Sequence, residues 1–189
     1  MGDLINEFDS QEEKYFSWFL DELKAKGYIV EWQKCNTSLQ LTKGLYLEYV
    51  KPMKKVADKV LKQTILEPSV YTPDFEIIWS IKAFGIFVTD IDMQSDDKLD
   101  TVFISHGVKS VVEVKGSWDN NNMTRLAKNN IKFVYDKHGI YINLIVVPNV
   151  FSKLFTPERY FMTDRTFKPR TLNYKNARTL REFIASLQK

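Results

Sequence analysis

The strongest constraint on the fold is a pair of short apolar runs, FEIIW at positions 75–79 and SVVEVK at positions 110–115. Both are rich in branched or aromatic residues, which is typical of strands. Asp74 stands at the entry to the first run, and Glu113 and Lys115 lie in the second. Because residues i and i+2 of a strand project to the same face, Glu113 and Lys115 are predicted to lie side by side, with Val114 on the other face.

The three charged residues suit a hydrolytic metal site. Asp74 adds a second carboxylate to that of Glu113, and two carboxylates with the backbone carbonyl of Val114 form an oxygen-rich site for Mg²⁺ or Mn²⁺. A divalent cation supports phosphodiester hydrolysis, and Lys115 is predicted to lie by the attacking water. The alternative is that Pro-Asp merely begins a strand or turn and that Glu-x-Lys faces solvent.

The sequence Pro73-Asp74 followed by Glu113-Val114-Lys115 resembles the signature of the PD-(D/E)xK nuclease superfamily, over roughly the first three quarters of the chain. The resemblance implies an α/β fold with a restriction-endonuclease-like core, in which a central mixed β-sheet is flanked by helices. The 39-residue separation of Asp74 and Glu113 implies an inserted hairpin. The resemblance also implies that a glutamate of the first helix completes the catalytic metal site, and Glu13 is the matching position.

The first helix is predicted from Ser10 onwards, since a serine followed by Glu13 and a periodic apolar run is a helix start. Phe16, Phe19, Leu20 and Leu23 form one core-facing stripe, and Gly27 ends the helix. Two roles remain open for Glu13, that of a metal ligand and that of a capping residue bonded to the backbone of Ser10, with Glu12 as a poorer substitute for the ligand.

Basic residues recur at helical spacing in two further segments. Lys51, Lys55, Lys59 and Lys62 share one face if residues 51–65 are helical, and Arg125, Lys128 and Lys132 share one side of a second helix, predicted to end near Gly139. Such stripes can track a phosphate backbone. Lys55, Lys59, Arg125 and Lys128 are the predicted nucleic-acid-binding residues, and the alternative for each is a solvated charge.

The remaining residues are expected to add strands to the sheet and then to form an extension outside it. Residues 28–33 and 39–50 are predicted strands, residues 81–91 continue the metal-bearing segment as a paired strand, and the acidic stretch 90–100 is a solvated loop. IYINLIVV, at positions 140–147, is the type of strand found in the middle of a sheet, and Pro148 ends it. Residues 149–189 form a helical extension whose basic and aromatic residues suit nucleic-acid binding or a subunit contact.

Size and composition are consistent with one domain, with the core at about residues 8–148 of the 189-residue chain. The net charge is +3, and Cys35 is the only cysteine, which excludes an internal disulfide. The sequence has no membrane-spanning apolar run, no signal-peptide-like N-terminus and no glycine-rich nucleotide loop. We expect no membrane partner and no nucleotide cofactor, and location in the cytoplasm, that of the host if a phage encodes the chain.

Together these features predict a Mg²⁺-dependent endodeoxyribonuclease, with Mn²⁺ able to substitute. Its small size and lack of a separate specificity domain favour a structure-directed enzyme, and the chain resembles phage-type DNA-recombination nucleases. Cutting branched DNA requires two active sites and hence a homodimer. One alternative is a transposon-type or restriction-type endonuclease that uses a partner or a sequence for targeting. The other, of a different class, is a nucleic-acid-binding protein that keeps the fold without cleaving.

Overall fold

A computed structural model of the protein describes residues 8–53, 59–92, 102–116, 122–164 and 166–188. The α-helices are α1 (Gln11–Ala25), α2 (Asn122–His138), α3 (Val147–Lys153) and α4 (Leu180–Ser186). The strands are β1 (Ile29–Lys34), β2 (Leu39–Thr42), β3 (Leu45–Lys51), β4 (Lys59–Leu66), β5 (Ser69–Tyr71), β6 (Phe75–Trp79), β7 (Val88–Asp90), β8 (Phe103–Ser105), β9 (Lys109–Lys115) and β10 (Ile142–Val146). Short 3-10 helices lie at Ile81–Ala83 and Glu158–Phe161.

A four-stranded mixed sheet, in the order β1-β6-β9-β10, forms the centre of the fold. β6 runs antiparallel to both β1 and β9, whereas β9 and β10 are parallel and are connected through α2. The predicted α/β architecture, a mixed sheet flanked by helices, is therefore confirmed. None of the described helices is long and apolar enough to span a bilayer.

The larger core lies on the face of the sheet that carries Val112 and Val114. The predicted stripe of α1 packs here, and its four apolar side chains are fully buried. Phe19 stacks on Phe155, with the ring centroids 4.5 Å apart. The predicted end of α1 at Gly27 is confirmed by its positive φ of 74°, a conformation that glycine adopts without steric cost.

A smaller core lies on the opposite face, where Val111 and Ile142 of the sheet meet Val134 of α2 and Leu41 of β2. Strand residues alternate between faces, so Glu113 and Lys115 share this second face with Val111. The helix predicted after Lys115 is confirmed, and its Val134 packs on this second face of the sheet.

The lysine-rich helix predicted over residues 51–65 is wrong. Lys51 ends β3, and Lys59 and Lys62 lie in β4, which pairs antiparallel with β3. Lys55 lies outside the described residues. A strand is also the locally reasonable structure here, because β4 contains the β-branched residues Val60, Thr64 and Ile65.

Three other sequence-based expectations need correction. Residues 81–87 do not form a strand paired with β6: they contain a 3-10 helix and a turn, and only Val88–Asp90 is extended. The insertion between Asp74 and Glu113 is more than the single hairpin that the resemblance implies: in its described part β7 and β8 pair in parallel, and an antiparallel bridge between His106 and Lys109 closes the turn into β9. β10 lies at the edge of the central sheet rather than in its middle, and its Asn143 side-chain amide bonds the backbone of Ile104 and of Val111.

The C-terminal extension packs against the larger core. Leu154 and Phe155 follow α3 and are buried, as are Leu180 and Phe183 of α4. Within the predicted helical extension α4 covers only Leu180–Ser186, and it begins at a capping box formed by Thr179 and Glu182. Apolar burial therefore ties residues 154–183 to the same core as α1.

Candidate active site

Asp74 immediately precedes β6. It bonds β9 through its backbone at one position and through its side chain at the next. The Asp74 N–H donates to the carbonyl of Val112 at 3.1 Å. One step further along β9, the Val114 N–H donates to Oδ2 of Asp74 at 2.6 Å. The carboxylate thus replaces the backbone carbonyl that a longer β6 would supply, and Pro73 before it has no N–H to extend the ladder.

Glu113 and Lys115 are side by side, as the i/i+2 spacing predicts. Lys115 Nζ lies 2.6 Å from Oε1 of Glu113. The other carboxylate oxygen of Glu113 accepts a 2.7 Å hydrogen bond from the hydroxyl of Tyr71. Glu113 and Tyr71 are buried, whereas Lys115 is half-buried at the end of β9. Both oxygens of Glu113 therefore have a partner in the protein.

The electrostatics place Asp74 and Glu113 in one interacting site. Burial, followed by the negative charge of Glu113, raises the pKa of Asp74 to about 7. The Val114 hydrogen bond and the charge of Lys115 oppose this rise but do not cancel it. Burial and Glu113 also raise the pKa of Tyr71, so the phenol stays protonated and donates. The site thus holds more negative charge than Lys115 neutralises.

Glu13 lies near this site, but hydrogen bonds and an ion pair from other residues already occupy its carboxylate. Its Oε1 accepts from the Ser10 hydroxyl at 2.9 Å, while Oε2 accepts from the Asp9 N–H at 3.4 Å and lies 3.3 Å from Lys34 Nζ. The Ser10 hydroxyl in turn accepts from the Glu13 N–H, which is the expected N-cap of α1. The charge of Glu13 contributes to the raised pKa of Asp74, so the two carboxylates interact through space.

The carboxylate of Glu12, the predicted poorer substitute for a ligand, approaches the end of β9. A Cβ placed on Gly116 would come within 3.1 Å of the Glu12 carboxylate, so Glu12 reaches the residue that follows Lys115. The absence of a side chain at Gly116 leaves room for that approach.

The donor set of the site fits a hard divalent cation. Asp74 and Glu113 offer carboxylate oxygens, and Val114, whose N–H donates to Asp74, carries the backbone carbonyl predicted as a further ligand. A cation would also offset the repulsion that raises the pKa of Asp74. Among the residues that the structure describes, no three Asp, Glu, His or Cys side chains group into a ready-made metal cluster.

The predicted nucleic-acid-binding residues lie on two different elements, apart from Lys55, which is outside the described residues. Lys59 is exposed on β4, and Arg125 and Lys128 are exposed on α2. In the C-terminal extension, Arg170 stacks on the rings of Tyr15 and Tyr160, and Arg178 donates to the Leu154 carbonyl at 2.8 Å. These two arginines therefore have intramolecular roles that the basic-aromatic pattern did not predict.

Tyr71 is the residue of the site that the sequence analysis missed. Its position two residues before Pro73 is a weak signal, because it contacts Glu113 only after a long-range pairing of β6 with β9. Two cavities of the described chain are not lined by Asp74, Glu113, Lys115 or Tyr71. One of about 380 Å³, lined in part by Pro73, Glu76, Lys109 and Val111, lies on the face of Glu113, and one of about 780 Å³ borders the start of α1.

No family model, curated protein or solved structure matches this chain.

Proposed function

We propose that the protein is a metal-dependent endonuclease that hydrolyses DNA phosphodiester bonds, with a restriction-endonuclease-like PD-(D/E)xK core. The observation that carries the proposal is the meeting of Asp74, Glu113 and Lys115 at the end of neighbouring strands, with Asp74 bonded to the Val114 N–H and Lys115 paired with Glu113. Residues 39 positions apart in sequence form one electrostatic unit. That unit combines the oxygen ligands and the positive charge that phosphodiester hydrolysis requires.

In this proposal Asp74 and Glu113 hold Mg²⁺, with Mn²⁺ as a substitute and the Val114 carbonyl as a further oxygen. The bound cation supplies Lewis-acid stabilisation of the phosphate and a more acidic water. Asp74 must be ionised to bind, and its pKa of about 7 makes binding weaker below neutral pH. Because burial and Glu113 cause the raised pKa, a cation at this position lowers it again.

Lys115 has the role of a fixed positive charge at the site. Its ion pair with Glu113 at 2.6 Å holds the ammonium at the end of β9, where it is half-buried. There it offsets negative charge that develops on the phosphate oxygens. Tyr71 fixes the orientation of Glu113 through its hydroxyl and thereby positions Lys115 indirectly.

One observation favours a second function, that of a DNA-binding protein that does not cleave. Both oxygens of Glu113 are satisfied by Tyr71 and Lys115, and Glu13 is engaged with Ser10 and Lys34. A carboxylate that is fully paired within the protein has less need of a cation. In that case Asp74 and Glu113 would bind no cation.

Cleavage and metal binding separate the two functions. Purified protein is incubated with supercoiled plasmid, linear duplex, single strand and a four-way junction, each with Mg²⁺, Mn²⁺ or a chelator. The nuclease proposal requires metal-dependent cutting that Asp74→Asn abolishes, and the preferred substrate distinguishes a structure-directed enzyme from a sequence-directed one. Binding without cutting of any substrate, together with no Mg²⁺ binding by calorimetry, would support the non-cleaving function.

A further inference from the structure

The strands β2 to β5 form one long, interrupted antiparallel hairpin that begins at the candidate site. The pairing Leu39↔Tyr71 to Thr42↔Ser69 continues, after a break at Pro68, as Leu45↔Leu66 to Lys51↔Lys59. Tyr71 at the base of this hairpin bonds Glu113. We call β3 and β4 the arm. With seven residues at a rise of about 3.3 Å each, β3 extends for roughly 23 Å.

The arm is exposed on both faces. Every residue of β3, and every residue of β4 except Leu61, is exposed, and in the described part of the chain each of the two strands pairs only with the other. The cross-strand neighbours Val50 and Val60 are 59% and 65% exposed. A two-stranded hairpin on its own is only marginally stable in water, and contiguous exposed apolar surface marks a site of interaction.

The charges of the arm indicate the chemistry of the partner. Its described residues include three lysines and one glutamate, and Lys51 lies directly opposite Lys59. Like charges at directly opposed positions destabilise a strand pair. A second copy of this chain would bring the same lysines and would not offset that repulsion, whereas a polyanion would. Lys62, opposite Glu48, packs its ammonium over the ring of Tyr46 at 4.2 Å.

We propose that the arm binds duplex DNA by entering its major groove and so holds the substrate against the candidate site. The major groove is about 12 Å wide and admits a two-stranded ribbon. Because successive strand residues project to opposite faces, the two valines and the two lysines lie on opposite faces of the ribbon. In this arrangement Val50 and Val60 lie against sugars and bases, while the longer side chains of Lys51 and Lys59 reach the phosphates at the edges of the groove. The inference rests on the proposed function for the identity of the nucleic acid, but it concerns binding and not cleavage.

The test measures DNA affinity as a function of salt, in the presence of chelator so that no cleavage occurs. Lys51→Ala/Lys59→Ala is expected to weaken binding of a labelled duplex at low salt and to reduce the slope of log K against log salt by about 2, since each phosphate contact contributes about 0.9. Lys24→Ala/Lys168→Ala removes the same charge from exposed positions outside the arm and is the matched control. Circular dichroism of each variant checks its folding.

A second variant, Val50→Ser/Val60→Ser, tests the apolar contact, and sedimentation velocity tests self-association. The proposal requires weaker duplex binding with an unchanged sedimentation coefficient. Equal salt slopes for the arm and control variants would overturn it. So would a wild-type dimer that the valine variant dissociates without loss of DNA affinity, since the partner would then be a second copy.

The two proposals fail separately. If the arm variant leaves the salt slope unchanged while the protein still cuts plasmid with Mg²⁺, the proposal for the arm is rejected and the nuclease proposal stands. Conversely, if the arm variant reduces the salt slope but the protein cuts no substrate, the proposal for the arm stands and the nuclease proposal is rejected.

Discussion

Replacing Asp74 by asparagine is expected to stabilise the metal-free protein above neutral pH. The wild-type carboxylate has a pKa of about 7 in the folded protein, against an ordinary 3.8. At about 1.4 kcal/mol for each pKa unit, that difference corresponds to a destabilisation of about 4 kcal/mol once the group is ionised. Asparagine removes the charge and keeps an oxygen that accepts from the Val114 N–H.

The sign of the pH dependence follows from proton binding. Below pH 3.8 Asp74 is protonated in both the folded and the unfolded state and contributes nothing. Between pH 3.8 and 7 the unfolded chain loses the proton first, so the stability of the wild type falls as pH rises. The excess stability of Asp74→Asn should therefore grow across this interval and stay constant above it.

Urea unfolding at several pH values from about 4 to 8, with chelator, measures the free energy of unfolding. Asp74→Ala separates charge from hydrogen bonding, because it leaves the buried Val114 N–H unpaired at a cost of about 1–3 kcal/mol at every pH. Asp136→Asn, at an exposed position on α2, is the neutral control. A difference between wild type and Asp74→Asn that does not vary with pH would refute the reasoning, since Asp74 would then not be held near Glu113 in a buried site.

Three further predictions concern the same site and the core beside it. Lys115→Ala should lose about 100-fold or more of cleavage in a plasmid-nicking assay and far less DNA binding in a gel shift, because its charge acts on the developing phosphate charge. Tyr71→Phe should lower the free energy of unfolding by about 1.5–3 kcal/mol in urea, since it removes a buried hydrogen bond to the Glu113 carboxylate. Glu13→Gln should weaken Mg²⁺ binding, measured by calorimetry, less than Asp74→Asn does, because the Glu13 carboxylate is occupied by Ser10 and Lys34.

Each of these three predictions has a control variant and a result that would contradict it. Lys109→Ala changes a lysine of the same strand that pairs with Glu76, and equal losses of cleavage and binding in Lys115→Ala would exclude the proposed role of Lys115. Tyr135→Phe alters an exposed tyrosine and should be neutral, so equal stability of both tyrosine variants would mean that the Tyr71 bond contributes nothing. Equal weakening of Mg²⁺ binding by Glu13→Gln and Asp74→Asn would make Glu13 a ligand.

Local patterns in the sequence were sufficient to predict the elements whose periodicity fits only one type of secondary structure. The stripe of α1 from Phe16 to Leu23, the strands around FEIIW and VVEVK, and the neighbouring side chains of Glu113 and Lys115 were all predicted correctly. A helix repeats every 3.6 residues and a strand every two, so these contacts are determined by spacing within one element.

Where a sequence pattern suits more than one secondary structure, the pairing of strands in the tertiary structure decided which one forms. The lysine spacing in residues 51–62 suits a helical face, but a strand places some of the same residues on one side too, and pairing with β3 selected the strand over Lys59–Leu66. β10 has the composition of a central strand and nevertheless lies at the sheet edge.

The sequence alone determined which residues could be chemically active: a Pro-Asp at one strand and a Glu-x-Lys on another. Only the tertiary structure decided how they meet, because the Val114 N–H reaches Asp74, and Tyr71 reaches Glu113, across about 40 intervening residues. The raised pKa of Asp74 has the same origin, since burial and the approach of a second carboxylate are properties of the packed sheet and not of either strand.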